Sequence, residues 1–336
     1  MKKYVSILYR LLDCLPTEVS MKIKLILNVL YSDWRFFPSG PFFPFAEKFS
    51  SDYSEELKQI EKFLDNESIT TVRAFLEKCH CENKFLNMLE PFRNSLFIDF
   101  SKIRKHFILP VSSGALKEAR KKYHLKTGGL ESLVFHQGVT FLTEKQIQYF
   151  EGKIVVDGGA YFGHYAIPYL KNYPFSCLWA FEPDSDSRKQ FARNMKKNHI
   201  FSERYRQFSY GLGEKEEIIM YNGQGIDLQQ IGNDKCEIVT LDSIAEKFNS
   251  VDRIGLIKAD VEGMGLQLLK GAVNVIRKSQ PVLALSAYHS PEELFGQILF
   301  VCHNFPGYQC RFVDLPAGSG YELTLLAIPE KLKSSD

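Results

Sequence analysis

The chain predicts an α/β protein, a seven-stranded doubly wound (Rossmann-like) sheet preceded by a mostly helical N-terminal extension. Three observations point there. The apolar run Ile154, Val155, Val156 ends in Asp157, Gly158, Gly159, Ala160, Tyr161, Phe162, Gly163, which reads as a strand buried on both faces followed by a glycine turn. Helical periodicity through Ala166, Ile167 and Leu170 then leads to a second apolar stretch, Cys177–Phe181, closed by Glu182; strand, turn, helix and strand make the first half of a doubly wound unit. Beyond it strand and helix patterns alternate and finish in two adjacent strand patterns, which fit a sheet closed by an antiparallel pair.

The N-terminal part reads differently. Residues 3–15 carry Tyr4, Ile7, Leu8, Leu11, Leu12 and Leu15 at helical spacing, and Pro16 stops them. A second helix runs from Thr17 through Ile23, Leu25, Ile26, Leu27, Val29 and Leu30. Lys2, Lys3, Arg10, Lys22 and Lys24 lie on the polar faces. A basic amphipathic pair could associate weakly with a membrane surface, although soluble helices that pack on their own protein show this pattern far more often. Pro38 to Pro44, with Phe36, Phe37, Phe42, Phe43 and Phe45 around it, breaks the helical run. Helices follow near Glu55–Leu64, Thr70–Lys78 and Gly114–Tyr123, the last ending in the basic Arg120, Lys121 and Lys122. No catalytic motif occurs here, so 1–127 is read as a helical region for acceptor or partner recognition and 128–336 as the catalytic domain, with Gly128 and Gly129 at the boundary.

Leu133–Phe135 and Val139–Leu142 flank His136, Gln137 and Gly138 like a short hairpin, and Thr143 to Phe150 reads as a helix. After Glu182 come a helix at Ser185–Lys197, a third strand at Tyr205–Tyr210, and added strands at Glu217–Tyr221 and Glu237–Val239. Thr240 or Asp242 caps the next helix. Ile254–Ala259 is the fourth core strand, Leu266–Ile276 a helix, Pro281–Ala287 the fifth strand and Glu292–Cys302 a helix. Tyr308–Val313 and Glu322–Ile328 are the closing pair.

Composition narrows the function classes. With 336 residues, 45% hydrophobic and 24% charged, the chain has the make-up of a soluble globular protein. A formal net charge of +2 offers no basic field for nucleic acid. The 7 cysteines are scattered and odd in number, which argues against a disulfide framework and for a reducing compartment. Cys79, His80 and Cys81 lack a second pair at zinc-ligand spacing, and no metal is expected. No apolar run is long enough to span a bilayer and no cleavable leader is evident, so the expected location is cytoplasmic.

Open α/β sheets bind ligands outside the carboxyl ends of their strands. Four such ends here carry polar groups: Asp157, Glu182, the stretch Lys258 to Glu262, and Tyr288 with His289. Glu182 lies about 25 residues past Asp157, close to where such folds place an acid on a ribose. The turn is neither G-x-G-x-x-G nor a P-loop. A turn opened by an aspartate suits a cationic sulfonium ligand rather than a pyrophosphate.

D-x-G-A-x-x-G at Asp157–Gly163, followed by F-E-P-D at Phe181–Asp184, resembles the S-adenosylmethionine site of class I methyltransferases. With T-L-D-S-I at Thr240, I-K-A-D-V-E-G at Ile257, L-L-K-G-A at Leu268 and P-V-L-A-L-S-A-Y-H-S-P-E-E-L at Pro281, the chain resembles the FkbM family over roughly residues 133–328. His164 departs from the acidic or small polar residue that often follows the last glycine in relatives. The resemblance implies a class I methyltransferase, S-adenosylmethionine as donor, and a hydroxyl of a sugar, polysaccharide or polyketide as acceptor. Glu182 would accept both ribose hydroxyls. Gly159, Ala160 and Gly163 would shape the turn under the methionine moiety, and Asp157 would hold its ammonium group. Asp260, near the transferred methyl, would contact the donor or act in catalysis. Lys258 and Asp260, two apart on a strand, share a face, and Glu262 lies just past it. His289 is the candidate general base, with Asp260 as alternative. His289 could equally cap the helix begun at Pro291, and Lys258 could simply pair with a carboxylate. A catalytically silent scaffold binding a partner through the N-terminal helices is the rival reading, and the intact Asp157, Glu182 and Asp260 speak against it. A nucleic-acid N-methyltransferase ranks behind both, because [DN]-P-P-[YF] is absent after the fourth strand.

Overall fold

The computed structural model describes residues 46–89, 111–221, 234–315 and 322–333. Its strands are β1 (Ile154–Gly158), β2 (Cys177–Phe181), β3 (Tyr205–Phe208), β4 (Gly211–Leu212), β5 (Glu217–Tyr221), β6 (Asp234–Val239), β7 (Ile254–Ala259), β8 (Val282–Ser286), β9 (Tyr308–Leu315) and β10 (Glu322–Pro329). Seven of them form one sheet in the order β3-β2-β1-β7-β8-β10-β9. Neighbours are parallel except at β10, which runs antiparallel to both β8 and β9. This is the doubly wound sheet with a closing antiparallel pair that the sequence predicts. The remaining β4, β5 and β6 form a separate small sheet, so the third strand stops at Phe208 and Gly211 begins another sheet.

Alternation along each strand feeds two cores. Ile154, Val156, Ile257, Ala259, Leu283 and Leu285 face one cluster, while Val155, Leu256, Val282 and Ala284 face the other. A strand buried on both faces needs an unbroken apolar run, and that is why β1, β7 and β8 read so plainly.

The helices are α1 (Ser54–Glu61), α2 (Asn66–Leu89), α3 (Val111–Lys122), α4 (Leu130–Leu133), α5 (Glu144–Gln148), α6 (Ala166–Asn172), α7 (Ser185–Lys197), α8 (Leu241–Lys247), α9 (Gly265–Lys270), α10 (Val273–Ser279) and α11 (Pro291–Asn304). The helix expected over Leu266–Ile276 is two, α9 and α10. A Cβ on Gly271 would overlap Gly213 O, so backbone meets backbone at the break. Thr240 caps α8, accepting from Ser243 N at 3.0 Å, whereas Asp242 caps α10, accepting from Asn274 N and Val275 N at 2.9 Å each.

The hairpin expected around His136–Gly138 is not formed. Leu130–Leu133 is helical and His136–Phe141 is a 3-10 turn. Gln137 and Gly138 hold φ of 48° and 77°, and the Gln137 amide drops into the core. Its Nε2 donates to Ser286 Oγ at 2.6 Å and to Ala259 O at 3.2 Å. Leu133, Val139 and Leu142 satisfy their apolar pattern by packing against the sheet face rather than by pairing.

The helices expected over 3–31 and the Pro38–Pro44 break lie outside the described residues. Of the N-terminal part that is described, Phe49, Ile60, Val72, Phe75 and Cys79 enter the same core cluster as β7 and β8. Helix α2 covers the edge strand β9: Ser68 Oγ accepts from Phe312 N at 3.0 Å, and Lys78 pairs with Asp314 at 2.7 Å. Cys79 is buried and His80 exposed, so they turn away from each other. Among the described residues, no helix is long and apolar enough to cross a membrane.

Candidate active site

Strand order reverses between β1 and β7, and a cleft of about 340 Å³ opens there at the carboxyl ends. Glu182 follows the last residue of β2 into it. Its Oε2 accepts from Tyr161 N at 2.8 Å and its Oε1 from Asp184 N at 2.9 Å. Burial pushes this carboxyl up, and the two backbone N–H groups pull it back. Asp184 also caps α7, accepting from Ser187 N at 2.6 Å. The F-E-P-D stretch therefore does two jobs, presenting an acid and starting a helix.

The glycine turn is built by contact. Gly159 holds φ of 74°, and a Cβ there would overlap Asp260 O. Only a glycine lets the turn after β7 come this close. Ala160 lines the cleft beside Gly159. Gly163, at φ 84°, packs against Phe191 and Met195 and does not line it.

Asp157 and Lys258 do not face the cleft, which corrects two expectations. They are register partners on β1 and β7. Their side chains are both 0% exposed, with Nζ 2.9 Å from Oδ1. Lys258 Nζ also donates to Gly158 O and Gly159 O at 3.0 Å each. Burial raises the Asp157 carboxyl and the ammonium beside it opposes that rise. Asp157 is already occupied by a cation, and Lys258 cannot reach an acceptor. The strand ends at Ala259, so the face shared along a strand does not extend to Asp260, which lines the cleft.

His289 needs a correction as well. It is 2% exposed and does not line the cleft. Its Nδ1 lies 2.7 Å from Glu293 Oε2, and its Nε2 lies 3.5 Å from both Asp260 Oδ1 and Glu262 Oε2. Burial lowers its pKa, but Glu293 and then Asp260 and Glu262 outweigh that and raise it to about 9. Geometry argues against the base role: the ring stays behind the cleft wall, and both of its nitrogens face carboxylates rather than the open space. Nor does it cap α11: Ser290 does, accepting from Glu293 N at 3.2 Å. The S-x-x-E pattern at Ser290 was the available signal for Glu293.

The cleft is acidic. Glu131, Glu182, Asp184, Asp260, Glu262 and Glu322 line it, and no lysine or arginine is among its lining residues. His164 is there, its Nε2 2.9 Å from Thr127 Oγ1, and burial lowers it to about 4, so it is neutral. Burial raises Glu131 and, together with Glu131 and Asp260 nearby, raises Glu322 well above its ordinary value. Tyr288 Oη donates to Asp260 Oδ1 at 3.2 Å. Tyr161 lies at the mouth with φ 44°, its ring stacked on Phe162 at 3.8 Å. Glu131 and Glu322 belong to no motif, and only the fold brings them to the glycine turn that carries Tyr161.

Residues 157–310 match the family described as the methyltransferase FkbM domain. Among solved structures, methyltransferase FkbM from Methylobacillus flagellatus is similar at TM-score 0.55 and 20% identity, over 82% of this chain and 58% of that one. The chain thus spans 58% of the length of that protein, and the likeness shows the fold. The O-methyltransferase TomG from Streptomyces achromogenes, involved in tomaymycin synthesis and solved with SAM, has 9% identity over 72% of this chain and 95% of that one, at TM-score 0.38. An O-methyltransferase from Bacillus cereus solved with SAH has 12% identity over 72% and 96%, at TM-score 0.39. No curated protein matches the chain. The stretch that matches the methyltransferase FkbM domain, residues 157–310, runs from the end of β1 through the glycine turn into β9 and so holds most of the motif-bearing edge of the sheet.

Proposed function

We propose that the chain transfers a methyl group from S-adenosylmethionine to a hydroxyl of a sugar, a polysaccharide precursor or a related natural product. Glu182 carries the reading. Two backbone N–H groups hold its carboxylate at the end of β2, and each oxygen keeps a lone pair for a ribose hydroxyl. Phe181, Tyr210, Leu212 and Val261 offer an apolar flank for a flat base. The excess of carboxylates suits a ligand carrying a sulfonium and an ammonium group. When bound, the donor supplies a methyl carbon activated by its positive sulfur, so positioning carries much of the rate. Asp260, exposed to the cleft, takes the hydroxyl proton as the acceptor oxygen bonds to carbon and the carbon–sulfur electron pair leaves with sulfur. The helices of 1–127 then serve the acceptor side or a partner surface.

Calorimetry tests the donor. S-adenosylmethionine should bind the wild type, and Glu182→Ala should weaken it by roughly 1–3 kcal/mol. Equal affinity in both would remove Glu182 from the site. Labelled donor incubated with a panel of cell-envelope glycans tests the acceptor, and label found only on amines would overturn the hydroxyl assignment.

A further inference from the structure

The turn after β7 is unusual. Glu262 and Gly263 hold φ of 51° and 92° in succession, and a non-glycine residue in that region persists only where its surroundings fix it. Its surroundings are the start of two helices. Glu293, in the first turn of α11, accepts from Gly265 N at 3.2 Å at the start of α9, and from His289 N at 3.3 Å. The same carboxylate holds His289 Nδ1 at 2.7 Å, and His289 Nε2 faces Asp260 and Glu262 at 3.5 Å each. One imidazole thus joins three carboxylates. The cluster is dry at one end and wet at the other: Glu293 is 1% exposed, Asp260 21% and Glu262 33%.

We propose that His289 is a positioning residue whose ring fixes the turn 260–263 and so aims Asp260 and Glu262 into the acceptor end of the cleft. Its kinetic consequence rests on the methyl-transfer reading, whereas its structural consequence does not. Remove the cation, and three like charges face one another across a strained turn. The groups that face the ring are Glu293 from α11, Asp260 and Glu262 from the turn, and Tyr288, whose ring centroid lies 4.2 Å away. Burial and neighbouring carboxylates raise the Tyr288 phenol well above 10, so the imidazole is the group that loses its proton first on the alkaline side, at about 9. The turn therefore loosens as pH passes that value.

Hydrogen–deuterium exchange of the amides from Asp260 to Gly265, corrected for intrinsic rates, reads the turn directly. Protection should fall about tenfold or more in His289→Gln at pH ~7, and the wild type at pH ~10 should match it, with β1 and β2 unchanged. In parallel, the variant should bind S-adenosylmethionine like the wild type, lose about 10- to 100-fold in kcat, and lack the alkaline limb of the rate profile. Unchanged protection in the variant overturns the proposal. Should the variant not fold, unchanged wild-type protection between the two pH values overturns it instead. A turn that loosens as expected in a wild type that binds no S-adenosylmethionine would defeat the methyl-transfer reading and leave the positioning role standing.

Discussion

Lys258 and His289 stand near the ends of neighbouring strands, β7 and β8, both buried and both against carboxylates. Lys258 meets Asp157, which is sealed beneath the glycine turn, the carbonyls Gly158 O and Gly159 O, and the face of the Tyr165 ring, and its one carboxylate partner does not reach the cleft. His289 meets one sealed carboxylate, Glu293, and two that open onto the cleft, Asp260 and Glu262. The Lys258 pair joins β1 to β7 and holds the sheet together. A histidine raised to about 9 can let go within reach of ordinary conditions. Similar chemistry therefore serves architecture at one strand end and site geometry at the next, and the difference is access to the cleft.

The hardest test of that contrast is Lys258→Ala. It strands Asp157 at 0% exposure without a counter-charge and should cost roughly 3–5 kcal/mol in urea denaturation. A variant that kept its stability and lost only kcat would put Lys258 back into catalysis and end the comparison.

The second test follows the sign of the histidine shift. The pKa of His289 rises from 6.5 in the unfolded chain to about 9 in the folded one. Its contribution, roughly 3 kcal/mol, is complete below pH ~6.5 and is lost as pH rises through ~9. The stability gap between wild type and His289→Gln should shrink across that window. A gap that stays constant would mean that the ring is neutral in the folded protein.

The smallest effect belongs to the double variant Asp157→Leu/Lys258→Met. Apolar residues can replace a buried pair at little cost, but Gly158 O and Gly159 O lose their lysine donor. A net loss of about 1–2 kcal/mol is expected, well short of the single variant. A double variant as unstable as Lys258→Ala would show that the lysine acts through the carbonyls rather than through Asp157.

Strands β1, β2 and β7 were legible to the residue at most of their ends, because strands buried on both faces need unbroken apolar runs. Glu182 was legible too, since an acid closing such a strand has nowhere to point but the carboxyl edge. The expected hairpin at His136–Gly138 failed because alternating apolar residues pack on a sheet face as well as they pair, and the Gln137 amide took partners on β7 and β8 that lie more than a hundred residues away in the chain.

Local pattern by itself determined the layered fold, the glycine turn and the acid at its side, since each depends on residues within one or two elements. Tertiary structure alone decided which charges reach the cleft. The partnership of Asp157 with Lys258 depends on the register of β1 against β7. The surroundings of His289 depend on how α11 and the turn after β7 meet, and Glu131 and Glu322 reach the cleft from places far apart in the chain. Periodicity encodes burial along an element, whereas charge pairing across elements depends on distances that exist only once the sheet has closed.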